Sequence, residues 1–151
     1  MHTIIPYDPR YRDDMIFCLL LAKDALGDTL RLNEDLLDVP ANYFARGDAF
    51  WLALDQHDRV IGMIGTHTVS QNELWLKRLY VKPGCKRQGL GAALYRRAEE
   101  LARAKGVTHI HTRFNDNYHE AARFYPAMGL AEAERSEGLR HFVKELAPCK
   151  T

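Results

Sequence analysis

The sequence predicts a mixed α/β (α+β) fold, with a twisted central sheet of about six to seven strands flanked by about four helices, and residues 1–151 forming one domain. Three observations predict it. Runs of strand length, rich in β-branched and aromatic residues, alternate with runs of helical period along the chain, with no repeats, linkers or low-complexity stretches. A length of 151 residues is most simply one domain with a real core. A glycine-bearing loop, Lys86-Arg87-Gln88-Gly89-Leu90-Gly91-Ala92, joins a strand-like run to a long helical one, an order that suits a ligand loop.

The elements follow in order. Thr3–Tyr7 reads as a short strand stopped by Pro6 and Pro9. Asp13 or Asp14 is placed to cap a helix in which Ile16, Leu19, Leu20, the stem of Lys23 and Leu26 recur at helical spacing, and Gly27 ends it. Glu34–Ala45 is a weaker helical stretch, bent or broken near Pro40. Phe50–Leu54 and Val60–Val69 are strands, and the turn-like Asp55-Gln56-His57-Asp58 between them makes a hairpin. Glu73–Val81 is the next strand and leads through Pro83-Gly84 into the glycine loop. The helix from Leu90 to Lys105 sets Leu94, Ala98, Leu101 and Ala102 on one side and stops at Gly106. Val107–Phe114 is a strand and Tyr118–Met128 a helix closed by Gly129. Leu130–Glu134 and Leu139–Leu146 are two last strands around Ser136-Glu137-Gly138.

Composition excludes several classes. At 46% hydrophobic and 27% charged the chain is that of an ordinary soluble globular protein. A net charge of +1 gives no global attraction to nucleic acid or a membrane surface. Lys77, Arg78, Lys82, Lys86 and Arg87 cluster, but without aromatic residues at stacking intervals. Met15–Ala22 is too short to span a bilayer and lies too far inside the chain for a signal peptide. Cys18, Cys85 and Cys149 are odd in number and fit no metal-ligand spacing, so they read as reduced thiols. His109 and His111 alternate on one side of a strand without a third ligand at a recognisable spacing, and no metal is expected. The expectation is a cytoplasmic protein with no nucleic-acid or membrane partner; a homodimer is compatible with the sequence.

The glycine loop is the most informative stretch. Gly89 and Gly91 flank one apolar residue, which lets backbone approach a ligand closely. The following helix start offers unpaired N–H groups and the positive end of the dipole, and Lys86 and Arg87 add full charges. A pyrophosphate suits this arrangement. The loop is not a P-loop, since no Lys-Ser/Thr follows Gly91, and it is not the dinucleotide fingerprint, since Leu94 stands where the third glycine belongs.

Leu79-Tyr80-Val81-Lys82-Pro83, the loop from Lys86 to Leu94, and Ala121-Ala122-Arg123-Phe124-Tyr125 followed by Met128-Gly129-Leu130 are together similar to the GCN5-related N-acetyltransferases, the GNAT family. The resemblance covers nearly the whole chain. Lys86 stands in the first place of the family's Gln/Arg-x-x-Gly-x-Gly/Ala loop and keeps its charge. The resemblance implies acetyl-coenzyme A as co-substrate, its pyrophosphate on the backbone of Lys86, Arg87, Gln88, Gly89, Leu90, Gly91 and Ala92, and its pantetheine arm along Leu79, Tyr80 and Val81. It implies direct attack of a primary amine, from a small molecule or a peptide, on the thioester in a ternary complex. Tyr125 takes the place of the family's acid for the departing thiolate. Where many relatives carry a glutamate base this chain has Trp75; Glu73, one strand period earlier and about 7 Å away, could act through water or be an ordinary strand-end carboxylate. The family's asparagine position falls on Tyr118, which leaves Asn115 or Asn117 near the pantetheine amides; Asn117 is taken as the contact, and both also suit a plain strand-to-helix turn or cap. Asp24, Asp28, Glu34, Asp35 and Asp38 fall where the family walls its acceptor site, and either attract an ammonium there or form a solvated face. The other reading is a non-catalytic coenzyme-A-binding sensor or interaction module.

Overall fold

The β-branched and aromatic runs pair into one seven-stranded sheet in the order β1-β2-β3-β4-β5-β7-β6. The structure is a computed structural model that describes residues 2–86 and 88–147. Its elements are β1 (Thr3–Pro6), α1 (Arg12–Ala25), α2 (Val39–Asn42), β2 (Phe50–Leu54), β3 (Val60–Thr68), β4 (Glu73–Val81), α3 (Leu90–Ala104), β5 (His109–Asn115), α4 (His119–Ala127), β6 (Ala131–Ser136) and β7 (Leu139–Glu145). Single 3-10 turns stand at Pro9–Tyr11, Glu34–Leu37 and Phe44–Arg46. Every neighbouring strand pair is antiparallel except β4 and β5. That parallel pair needs a crossover, and α3 supplies it.

The sheet separates two apolar layers. On one face α1, the Glu34–Leu37 turn and α2 bury Met15, Cys18, Leu19, Leu36 and Val39 against Phe50, Leu52 and Met63. On the other face α3 and α4 bury Leu90, Leu94, Ala98, Ala102 and Tyr125 against Ile64, Leu74, Ile110, Phe114 and Phe142. Leu101, expected in that stripe, lies only half-buried at its edge, and Tyr95 is buried in its stead.

Local details differ from expectation for identifiable reasons. Neither Asp13 nor Asp14 caps α1: both lie in its first turn, and Asp8 caps the preceding 3-10 turn through the Arg10 N–H. Asp14 instead accepts from the Arg59 guanidinium at 2.7 Å and from the Val60 N–H at 2.7 Å, fastening α1 to the start of β3. The buried stripe of α1 is Met15, Cys18, Leu19, Ala22 and Lys23, with Ile16 and Leu20 at its margin. Pro40 breaks the second helical stretch into a short α2 between two 3-10 turns, and Asp38 caps α2 through the Ala41 N–H at 3.1 Å. β5 starts at His109 because the Val107 N–H closes α3 onto the Ala102 carbonyl.

Two irregularities in β4 prepare the site. Met63 pairs with Tyr80 and Gly65 with Lys77, so β4 carries one residue more than β3 across this rung, a β-bulge. Arg78 lies within it at φ 57°, a conformation unusual for a long side chain, and its guanidinium is tied to Asp35 at 2.8 and 3.1 Å. Beyond the bulge question of register lies pairing on the other edge: β4 meets β5 only over Glu73–Trp75 with His109–His111. Past Trp75 the two strands part, and the facing edges of Leu76–Val81 and Thr112–Asn115 open into a cavity.

Candidate active site

The splay between β4 and β5 opens a cavity of about 1000 Å³, walled by those two strands, the start of α3, α4 and the end of α1. Each wall follows from a local sequence feature. At one end stands the N-terminus of α3, where the Gly89 N-cap has φ 75° and no side chain caps the helix. The Ala93 N–H makes the first bond of the helix, to the Gly89 carbonyl at 3.0 Å, so the amides of Leu90, Gly91 and Ala92 have no partner within the helix. Gly89, Leu90, Gly91 and Ala92 all line the cavity.

The two glycines do different work. Gly89 supplies a left-handed turn and has open space where a Cβ would stand. A Cβ on Gly91 would come within 3.1 Å of the Phe124 ring, so this glycine lets α3 and α4 approach each other. The expectation that both glycines clear space for a ligand is corrected for Gly91, whose missing side chain faces Phe124. Lys86 lines the cavity and pairs with Glu120 at 2.7 Å, an exposed contact bridging the loop to α4. Gln88 is exposed and does not line the cavity, and Arg87 lies outside the described residues, as does Cys149.

Along the middle, Leu79, Tyr80 and Val81 present the unpaired edge of β4 to the cavity. Tyr125 enters from α4 with 6% of its surface exposed, stacked on Phe114 at 5.5 Å and edge-on to Phe124 at 5.2 Å. Burial pushes its phenol up to about 12, offset in part by a hydrogen bond with Thr112. Tyr80 is raised in the same direction, again by burial first. Cys85 is half-buried in the wall, whereas Cys18 lies in the α1 layer, where burial pushes its thiol up to about 12. Of the asparagines, Asn115 lines the cavity; Asn117 is exposed outside it.

Glu73 lies below the point of splay and does not line the cavity. Its carboxylate is hydrogen-bonded to Nε2 of His111, and Nδ1 of His111 meets Nε2 of His141 at 2.9 Å. A carboxylate only accepts, so His111 in its neutral form carries its proton on Nε2 and accepts at Nδ1. Trp75 stacks on both rings, at 4.8 Å from His111 and 5.0 Å from His141. Burial, then His111 and Arg113, lower the His141 pKa. Trp75 lines the cavity, whereas His111 and His141 do not. Among the described residues no three His, Cys, Asp or Glu side chains are grouped to hold a metal ion.

The acceptor end differs most from expectation. The acidic stretch is largely committed elsewhere, and none of it lines the cavity. Asp28 accepts from the Tyr118 hydroxyl, tying the end of α1 to α4. Asp35 accepts from Arg78 and, at 2.6 Å, from the Tyr43 hydroxyl; burial alone would raise its carboxyl, but these bonds outweigh it and hold the pKa low. Asp38 caps α2, while Asp24 and Glu34 are exposed. Among the described residues the charged lining consists instead of Lys77, Arg78, Lys86, Arg113 and Arg123 against the carboxylate of Glu120. Sequence reasoning missed Lys77, Thr112 and Arg113 as cavity residues. The signal was strand alternation, which puts Lys77 on the face of Trp75 and Arg113 on the face of His111.

Residues 20–130 match the family model of the acetyltransferase (GNAT) family. N-acetyltransferase 8 of Homo sapiens is 28% identical over 113 residues, covering 71% of this chain and 49% of that protein. The chain thus spans about half the length of that relative, and likewise of the 27% identical probable N-acetyltransferase camello of Xenopus laevis, of which it covers 47%. Among solved structures, an acetyltransferase of the GNAT family from Staphylococcus aureus Mu50 superposes with a TM-score of 0.90 at 23% identity, covering 97% of this chain and 100% of the other. The PaiA N-acetyltransferase of Thermoplasma acidophilum, solved in complex with coenzyme A, superposes with a TM-score of 0.81 at 16% identity, covering 97% and 99%. At these identities the structures establish a shared fold.

Proposed function

This chain belongs to the acetyltransferase (GNAT) family, and we propose that it transfers an acetyl group from acetyl-coenzyme A to a primary amine by direct attack in a ternary complex. One observation carries the reading: an uncapped helix N-terminus, an unpaired strand edge and a buried phenol all open on the same cavity. Each fits a different part of the coenzyme. The free amides of Leu90, Gly91 and Ala92, at the positive end of α3, suit a pyrophosphate. Lys86 can turn from Glu120 to the same anion, since an exposed ion pair of this kind holds it only weakly. The edge of Leu79–Val81 suits the amides of a pantetheine arm lying as an added strand. The bound coenzyme supplies an activated thioester carbonyl and a thiolate leaving group.

Tyr125 holds a proton on its Oη at the cavity wall, and its high pKa keeps that proton in place at neutral pH. Tyr80 shares the raised pKa, but Tyr125 stands at the family's acid position and is taken as the group that protonates the departing sulfur. Among the described residues no carboxylate lines the reaction end, since Glu120 stands at the loop and Glu73 is bonded to His111 below the splay. The amine therefore loses its proton to water and reacts as the free base.

The test is release of free thiol from acetyl-coenzyme A over a panel of primary amines. Amine-dependent release is expected, with an acetylated product matching it in amount. A protein that binds the coenzyme, seen as a rise in Tm, but releases no thiol with any amine would be a sensor module and the transferase reading would fall.

A further inference from the structure

Resting on the acetyl-transfer reading above, we propose that the acceptor is an amine that also carries a free carboxylate, held by Lys77 and Arg113. The last rung between β4 and β5 is Trp75 with His111, and Lys77 and Arg113 stand two residues beyond it, one on each strand. Strand alternation puts Lys77 on the same face as Trp75, and Arg113 on the same face as His111. The Lys77 Nζ lies 5.8 Å and the Arg113 guanidinium 5.1 Å from the Trp75 ring centre, so both flank one indole at the point where the strands part. Both line the cavity.

Neither cation is neutralised. Among the described residues no carboxylate stands within ion-pair distance of Lys77 or Arg113. Asp35, the acidic group whose field reaches Lys77, is already bonded to Arg78 and Tyr43. Partial desolvation, then Arg78 and Arg113, work against the Lys77 ammonium. Both side chains are exposed and rest on the Trp75 ring, so they keep their charge and can meet an anion in the cavity. The coenzyme's pyrophosphate has its own site at the other end, on α3 and Lys86, and the acid Tyr125 comes from the opposite face of the sheet. What remains for Lys77 and Arg113 is an anion on the acceptor.

This also reverses the role expected of the acidic stretch. Asp28, Asp35 and Asp38 bond to Tyr118, to Arg78 with Tyr43, and to the α2 backbone, and none of them lines the cavity where a polycationic amine would sit. A diamine would bring a second positive charge against Lys77 and Arg113. An amino acid brings a carboxylate to them and leaves its amine free to meet the thioester.

The experiment uses glycine, alanine, leucine, methionine and phenylalanine, each paired with its own carboxamide, with putrescine as the cationic arm. Thiol release gives kcat/KM for each, expressed per free amine because a carboxamide lowers the amine's pKa. Free acids are expected to exceed their carboxamides by roughly tenfold to a hundredfold for each charged contact. In Lys77→Gln and Arg113→Gln that ratio should move toward one, while the coenzyme-dependent rise in Tm persists and shows the fold intact. Equal or better use of carboxamides or putrescine leaves the transferase standing and overturns the carboxylate site. A ratio unchanged in both variants overturns it too. No thiol release with any arm, despite coenzyme binding, overturns the transferase reading and this one with it.

Discussion

Replacing Tyr125 by Phe isolates one oxygen in the proposed mechanism. The ring is buried to 6% exposure between Phe114 and Phe124, and a Phe ring keeps both contacts. Among the described residues the bond lost is that between the phenol and Thr112. Loss of one such bond costs about 1 kcal/mol of stability. For a chain of this length that is a fall in Tm of roughly 2–4 °C. Loss of a general acid costs far more on the barrier, about 3–5 kcal/mol for a rate reduction of roughly 10²–10⁴-fold. The two readouts therefore separate. Turnover by thiol release should collapse, while thermal unfolding and coenzyme affinity shift little. The pH profile adds a second check. Burial lifts this phenol to about 12, so the acid form persists well above the ordinary tyrosine range. The wild-type rate should consequently show no falling limb between about pH 8 and pH 10, where an unperturbed phenol would begin to lose its proton. Turnover of Tyr125→Phe within a factor of about three of wild type would refute the acid role and leave Tyr125 as packing.

Three further predictions concern the neighbouring parts. Gly89→Val forces a branched side chain into φ 75°, so it should abolish the coenzyme-dependent rise in Tm while the chain still unfolds cooperatively; Gly91→Val should do the same with a larger loss of Tm, because its side chain strikes Phe124. Unchanged coenzyme stabilisation in Gly89→Val would sink the helix-terminus cradle. Glu73→Gln should lower turnover by less than about tenfold and keep one rising pH limb that follows the acceptor amine, since Glu73 is bonded to His111 outside the cavity. A loss of a hundredfold with that limb gone would make Glu73 the base. Asp35 has a depressed pKa, so its contribution is fully present above the unfolded value near 4 and fades as pH falls through the folded one. Asp35→Asn should lower the urea midpoint at pH 7 by the equivalent of about 1–3 kcal/mol and flatten its decline between pH 5 and pH 2; a decline parallel to wild type would count against the Asp35–Arg78–Tyr43 cluster.

What could be read from the sequence was local. β2 and β4 have the predicted limits, and α3 begins at the predicted Leu90, because each depends on a pattern within a few residues. The loop before α3 was legible for the same reason: glycine spacing and a helix start are neighbours in the chain. The expected capping of α1 failed because two adjacent aspartates looked equivalent, whereas Asp14 is drawn to Arg59, 45 residues away. No window of sequence contains that partner.

The same physics decides what the cavity can accept. Asp28 and Asp35 read as part of an acidic run because their neighbours are acidic, yet their bonds go to Tyr118 and Arg78, 90 and 43 residues away. Glu120 is likewise engaged by Lys86 across 34 residues. None of the acidic run lines the cavity, and among the described residues Lys77 and Arg113, which flank Trp75 at the splay, have no ion-pair partner. Charge along a chain is additive, but charge at a site depends on which side chains the fold turns toward it. A run of aspartates can therefore lie beside a cavity whose own wall carries cations, and the amine with a free carboxylate proposed above is the acceptor that uses them.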